Sequence, residues 1–137
     1  MRIAVIDGQG GGIGKLIVEK LKASFGDKIS IIALGTNALA TAVMLKAGAD
    51  EGASGENAIV YNASRVDLIV GSIGIIAASS MLGELSPAMA RSIAESPARK
   101  ILIPLNRCNI HVVGVHEDSL VQSIDLLVEE VGRHMIN

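Results

Sequence analysis

The sequence predicts an α/β fold, a doubly wound and mainly parallel sheet with helices on both faces, and three observations predict it. Short apolar runs at Ile3–Ile6, Ile29–Leu34 and Val66–Val70 alternate with stretches of helical periodicity. Aromatic content is 1%, so the core must be built from Ile, Val, Leu and Ala, which suits strands covered on both sides. A glycine-rich turn, Asp7-Gly8-Gln9-Gly10-Gly11-Gly12-Ile13-Gly14, joins the first strand to the first helix.

Each element follows from local pattern. The first strand is expected over Arg2–Ile6. The helix after the glycine turn sets Ile13, Leu16, Ile17, Leu21 and Phe25 on one face and ends at Gly26-Asp27. Ile29–Leu34 is the second strand, followed by the turn Gly35-Thr36-Asn37. Leu39, Val43, Met44 and Ala47 trace a second helix, stopped by Gly48. Ala49–Ala53 reads as a short third strand, and Ser54 as the cap of a helical turn from Gly55 to Asn62. Arg65 opens the most apolar strand, Val66–Val70. Ser86-Pro87 is a helix start, with serine at the cap and proline in the first turn.

Lys100–Leu105 is a further strand, and Ile110–Val115 another across the short loop Asn106–Asn109. So short a loop cannot hold a crossover, so the pair is expected as an antiparallel hairpin that adds a C-terminal strand to the sheet. The last helix, about Asp118–His134, carries Leu120, Ile124, Leu127, Val128 and Val131 on one face. This is a Rossmann-like order of elements, expected as a single domain over residues 1–137.

Half of the residues are apolar and 19% are charged, which points to a subunit interface and hence a homo-oligomer. A net charge of −2 offers no electrostatic footprint for nucleic acid. The longest apolar run, Leu68–Leu82, is interrupted by Gly71, Gly74 and serines and falls short of the ~18 residues of a membrane span. A start at Met1-Arg2 directly into a strand and a single cysteine, Cys108, suit a cytoplasmic protein.

A strand, a glycine-rich turn and a helix together present backbone N–H groups and a helix N-terminus to a phosphate. Five glycines between Gly8 and Gly14 exceed what a turn needs. The expected ligand contacts are therefore Gly8, Gln9, Gly10, Gly11, Gly12, Ile13 and Gly14. Gly14-Lys15 suggests a P-loop, but Leu16 stands where Ser or Thr must meet Mg²⁺. Asp7 would repel a phosphate unless it accepts N–H bonds from its own loop, as aspartate does in an Asx-turn. The alternative roles for Asp7 are general base or Mg²⁺ ligand.

A dinucleotide site places an acidic residue after the second strand, and here Thr36 and Asn37 occupy that place. Their lack of charge favours NADP over NAD; equally, they can serve as a helix cap. Ligands of open α/β sheets bind beyond the carboxyl ends of the strands, where Gly71–Ser80, with Ser72 and Gly74, and Asn106–Asn109 should join the glycine loop. Arg107 could meet an anion, and Cys108 could be a nucleophile but has no evident base. Cys108 and His111 would point to opposite faces of a strand, so no metal site is expected.

Gly8-x-x-x-Gly12-Ile13-Gly14 resembles the cofactor turn of short-chain dehydrogenases/reductases. Val66-Asp67-Leu68-Ile69-Val70 with Gly71-Ser72-Ile73-Gly74, and later Glu84-Leu85-Ser86-Pro87, resembles that family's fourth strand and its Asn-Asn-Ala-Gly turn. That family carries threonine where Asp7 stands, and its Tyr-x-x-x-Lys pair has no counterpart, since position 65, four beyond Tyr61, is Arg65. Over its whole length the chain resembles more closely an uncharacterised bacterial family of small Rossmann-like proteins that open with the same Ile-Asp-Gly-Gln-Gly-Gly-Gly-Ile-Gly stretch. That likeness implies a fold and no activity. The expected function is binding of a nucleotide, NAD(P)(H) in type, with no reaction assigned and Asp7, Arg107 and Cys108 as catalytic candidates. The alternative is a non-catalytic nucleotide-sensing or assembly module.

Overall fold

The computed structural model describes residues 1–105, 108–116 and 119–136. Five strands, β1 (Arg2–Asp7), β2 (Ser30–Gly35), β3 (Glu51–Ser54), β4 (Leu68–Ser72) and β5 (Arg99–Ile103), form one sheet in the order β3-β2-β1-β4-β5. Every pairing is parallel: Val5 lies opposite Ala33 on one side and Val70 on the other, and Val70 lies opposite Ile101. Parallel neighbours need long right-handed crossovers, and helices supply them. These are α1 (Gly12–Phe25), α2 (Ala38–Lys46), α3 (Glu56–Asn62) and α4 (Pro87–Glu95), with α5 (Leu120–Ile136) closing the chain. Among the described residues no helix is long and apolar enough to cross a membrane.

Strand residues alternate between two cores. Ile3, Val5, Ile31 and Val70 face Ile17, Val18 and Leu21 of α1, Met44 of α2, and Ile124, Leu127 and Val131 of α5. Ala4, Ile6, Leu34 and Ile69 face Ile59 of α3 and Met89, Ala90 and Ile93 of α4. Because both faces are covered, β1 is buried from Ile3 to Asp7 and reads as a continuous apolar run. The helix starts at Asn37 and Ser86 follow cap chemistry: Asn37 Oδ1 accepts from Ala40 N at 2.8 Å and Ser86 Oγ from Met89 N at 3.2 Å.

Two local expectations fail. Ser54 is not a cap; it ends β3 and its hydroxyl donates to Thr41 Oγ1 at 2.7 Å, while left-handed Gly55 opens α3. The antiparallel hairpin is absent as well, and no strand follows β5 among the described residues. Pro104, which has no N–H to donate, ends the β5 run, and left-handed Asn109 (φ 56) and Gly114 (φ 87) turn the next segment away. The alternation of Ile110 to Val115 therefore finds no partner edge, and Val113 stays 87% exposed. The last helix begins at Leu120, and its expected first residue, Asp118, lies outside the described residues.

The strand order reverses between β1 and β4, so the crossovers after these two strands leave on opposite faces and a crevice opens at their carboxyl ends. Close approach at that point depends on Gly71, where a Cβ would stand 2.7 Å from the Ile6 carbonyl oxygen. Backbone cannot step aside as a side chain can. Gly71→Ala is expected to destabilise the fold by about 1–3 kcal/mol, the cost of an overpacked core position, as measured by urea denaturation.

Candidate functional site

The site grows from the carboxylate that ends β1. Asp7 is 6% exposed; its Oδ1 accepts from Gly8 N at 2.8 Å and its Oδ2 from Gly14 N at 2.7 Å. One side chain thus ties both ends of the glycine loop to the strand. A buried charge is tolerable there because N–H dipoles meet it on both oxygens. The loop closes on itself through Gly11 N to Gly8 O at 2.9 Å, and Gly11 takes the left-handed conformation (φ 73) that starts α1.

The glycines divide by what surrounds them. A Cβ on Gly8 would meet Thr36 Oγ1 at 2.6 Å and Met81 Sδ at 2.7 Å, and one on Gly14 would meet Asp7 Cβ at 3.0 Å. Those two are glycine because the protein packs against them. At Gly10 and Gly12 a Cβ would meet nothing within 4 Å, and neither has a left-handed φ. The N–H groups of Gly10, Gly12 and Ile13 make no hydrogen bond among the described residues. The cap position of α1 is Gly11, which has no side chain, and among the described residues the first-turn N–H of Gly14 is met by Asp7 while those of Gly12 and Ile13 are not met.

These groups face a pocket of about 620 Å³, within the ~300–1,000 Å³ range of small-molecule sites. Asp7 and the loop from Gly8 to Ile13 form one wall. Ser72 and Gly74 from the end of β4, with Ser80, Met81 and Leu82, form a second, and Leu16, Leu105, Cys108 and Leu120 complete it. The Ser72 hydroxyl makes no hydrogen bond among the described residues, while Ser80 Oγ donates to Gly74 O at 2.6 Å. No lysine or arginine lines the pocket among the described residues, so its positive pole is the backbone N–H cluster and the α1 dipole.

The structure therefore brings the glycine loop together with Ser72, Gly74 and Cys108. Gly14 does not reach the pocket, and neither do Thr36 and Asn37. Arg107, with Asn106, lies outside the described residues. Sequence reasoning missed Glu84, whose Oε1 accepts from Gln9 N at 2.9 Å, Thr36 Oγ1 at 2.7 Å and Asn37 Nδ2 at 2.8 Å. A carboxylate does stand at the end of β2, delivered from the segment between β4 and α4. No local signal could announce it. The Thr36 hydroxyl first, then the Gln9 N–H and the Asn37 amide, hold the Glu84 carboxyl below its usual range.

The segment that carries Glu84 is strained. Ser79, Met81 and Leu82 are left-handed (φ 64, 58 and 57), at roughly 1–2 kcal/mol each for residues bearing a Cβ. Turn bonds stabilise it, Ser79 N to Leu85 O at 2.8 Å among them, and Leu85 is fully buried while Leu82 at the tip is 98% exposed.

The chain belongs to the family described as Domain of unknown function (DUF3842), which matches residues 2–136. No curated protein matches it. Among solved structures it is similar to a universal stress protein in complex with cAMP, with 19% identity and a TM-score of 0.40, covering 73% of this chain and 94% of that one.

Two outcomes are expected. Asp7→Ala should cost roughly 1–3 kcal/mol for each N–H left without its acceptor, read as a fall in the urea midpoint. A depressed carboxyl pKa means that the Glu84 contacts contribute stability above its ordinary value of 4.5, and that this contribution is lost as pH falls through the lower folded value. An acid titration of the Gln9 amide resonance by NMR should therefore show a transition below pH 4.5, absent in Glu84→Gln.

Proposed function

We propose that this member of the DUF3842 family binds a nucleotide-type ligand, with a phosphate on the N–H groups of Gly10, Gly12 and Ile13. One observation carries the reading: Gly10 and Gly12 are glycines that neither the turn nor the packing requires. A ligand pressed against the backbone supplies the missing reason, and the start of α1, where the Gly12 and Ile13 N–H groups make no hydrogen bond among the described residues, supplies donors and a favourable dipole. Ile13, Leu16, Leu105 and Leu120 offer an apolar wall for a ring, and the Ser72 hydroxyl a hydrogen bond.

Within that class we favour an NAD(P)-type ligand, and NADP over NAD. The Thr36 hydroxyl and Asn37 amide at the end of β2 are donors of the kind a 2′-phosphate needs, and a 2′-phosphate would have to take them from Glu84, which holds them in the free protein. No reaction is assigned. Both carboxylate oxygens of Asp7 already accept N–H bonds from the loop, which argues for a structural role rather than base catalysis or Mg²⁺ binding. Cys108 lines the pocket with no basic side chain beside it among the pocket's described residues. This favours, as a second reading, a non-catalytic nucleotide-sensing or assembly module. Exposed Val113, Val121, Leu126 and Ile136 on the C-terminal segment suit a homo-oligomer.

Gly12→Val is expected to place a side chain in open pocket space, leaving the melting temperature of the free protein nearly unchanged while removing ligand-induced stabilisation. Thermal shift with millimolar NAD, NADP, ATP, GTP and coenzyme A reads this. A wild-type protein stabilised by none of them would leave the nucleotide reading without support. Light scattering should give more than a monomer mass at micromolar concentration.

A further inference from the structure

Three donors from two separate parts of the chain converge on one oxygen of Glu84. Gln9 N–H belongs to the glycine loop, and the Thr36 hydroxyl and Asn37 amide stand between β2 and α2. None of them needs Glu84 for its structural duty. Asn37 already caps α2 through Oδ1, and its amide also donates to the Gln9 carbonyl at 3.0 Å. Such a donor set is built for an oxyanion. Its occupant arrives on a connection anchored by buried Ile75 and Leu85 and left-handed at Ser79, Met81 and Leu82. The other Glu84 oxygen, Oε2, takes part in none of these bonds.

We propose that Gln9 N–H, Thr36 Oγ1–H and Asn37 Nδ2–H form a second oxyanion site, filled from within by Glu84, and that a phosphate monoester of the ligand takes the site by displacing Glu84 and lifting residues 77–84 between the anchors Ile75 and Leu85. The inference rests on the nucleotide reading above and deepens it, since NADP differs from NAD by one such group. Exchange is near balance on hydrogen bonds: three bonds to a carboxylate are given up and three to a more highly charged phosphate are made. Relief at the left-handed residues offsets part of what opening gives up in turn bonds, such as Ser79 N to Leu85 O, and the closed state stays the favoured one without ligand. Gln9 sits beside Gly10, so one ligand can span both phosphate positions along the same loop.

Calorimetry with NADP and NAD on wild type, Glu84→Ala and Glu84→Gln tests this, together with hydrogen exchange of residues 77–84. Glu84→Ala should tighten NADP about tenfold, the factor expected if the wild-type site is open about a tenth of the time. NAD should change by less than about threefold, and Glu84→Gln should fall between wild type and Glu84→Ala for NADP. NADP should speed exchange of residues 77–84 in wild type. Equal effects on both nucleotides, or exchange unaffected by NADP, would overturn the proposal. Inorganic phosphate supplies an arm that does not need the nucleotide reading. If it protects the Gln9 amide in Glu84→Ala while NADP fails to bind, the oxyanion site stands and the nucleotide reading falls; if neither binds, the oxyanion site falls too.

Discussion

The Asp7 carboxylate is the constraint on which the site depends. It gathers Gly8 N and Gly14 N onto two oxygens of one side chain, and so sets where the loop leaves β1 and where α1 begins. A negative charge at the mouth of an anion site looks contradictory. It is consistent because the N–H groups it consumes are those at the two ends of the loop, while the donors at Gly10, Gly12 and Ile13 point elsewhere. The charge is spent on architecture at Gly8 and Gly14, and the first two N–H groups of α1, at Gly12 and Ile13, make no hydrogen bond among the described residues.

The sheet order supplies the second requirement, a place for that loop to face. With β4 beside β1 and the crossovers leaving on opposite faces, the ends of these two strands bound a crevice. Gly71 lets β4 approach the Ile6 carbonyl closely enough to bring Ser72 and Gly74 into the wall. Apolar side chains cover β1 on both faces, so the loop is held by the central, buried strand of the sheet. By contrast, the segment carrying Met81, Leu82 and Glu84 is tied to the sheet chiefly at its ends and through one carboxylate.

Local chemistry explains what was legible in advance. The glycine loop, the Asn37 and Ser86 helix starts and the parallel buried strands are written in short-range patterns of glycine, cap residues and apolar runs, and the structure carries each of them. The hairpin was misread for a related reason. Ile110 to Val115 alternates as a strand does, yet alternation specifies a surface and not a partner, and Pro104, Asn109 and Gly114 turn the segment away from β5. Ser54 does not cap α3 because it stands one residue too early: Gly55 holds the cap position, and the Ser54 hydroxyl is engaged by Thr41.

What the sequence by itself determined is the fold class and the loop, because both arise from contacts between residues close in the chain. Tertiary structure alone decided which glycines serve packing and which face open space, since that depends on Thr36, Met44 and Met81, far away in sequence. It also decided that a carboxylate stands at the end of β2. Glu84 is 75 residues from Gln9 and 47 from Asn37, and no spacing rule connects them. Only the return of the chain over the carboxyl edge of the sheet brings its oxygen to their donors.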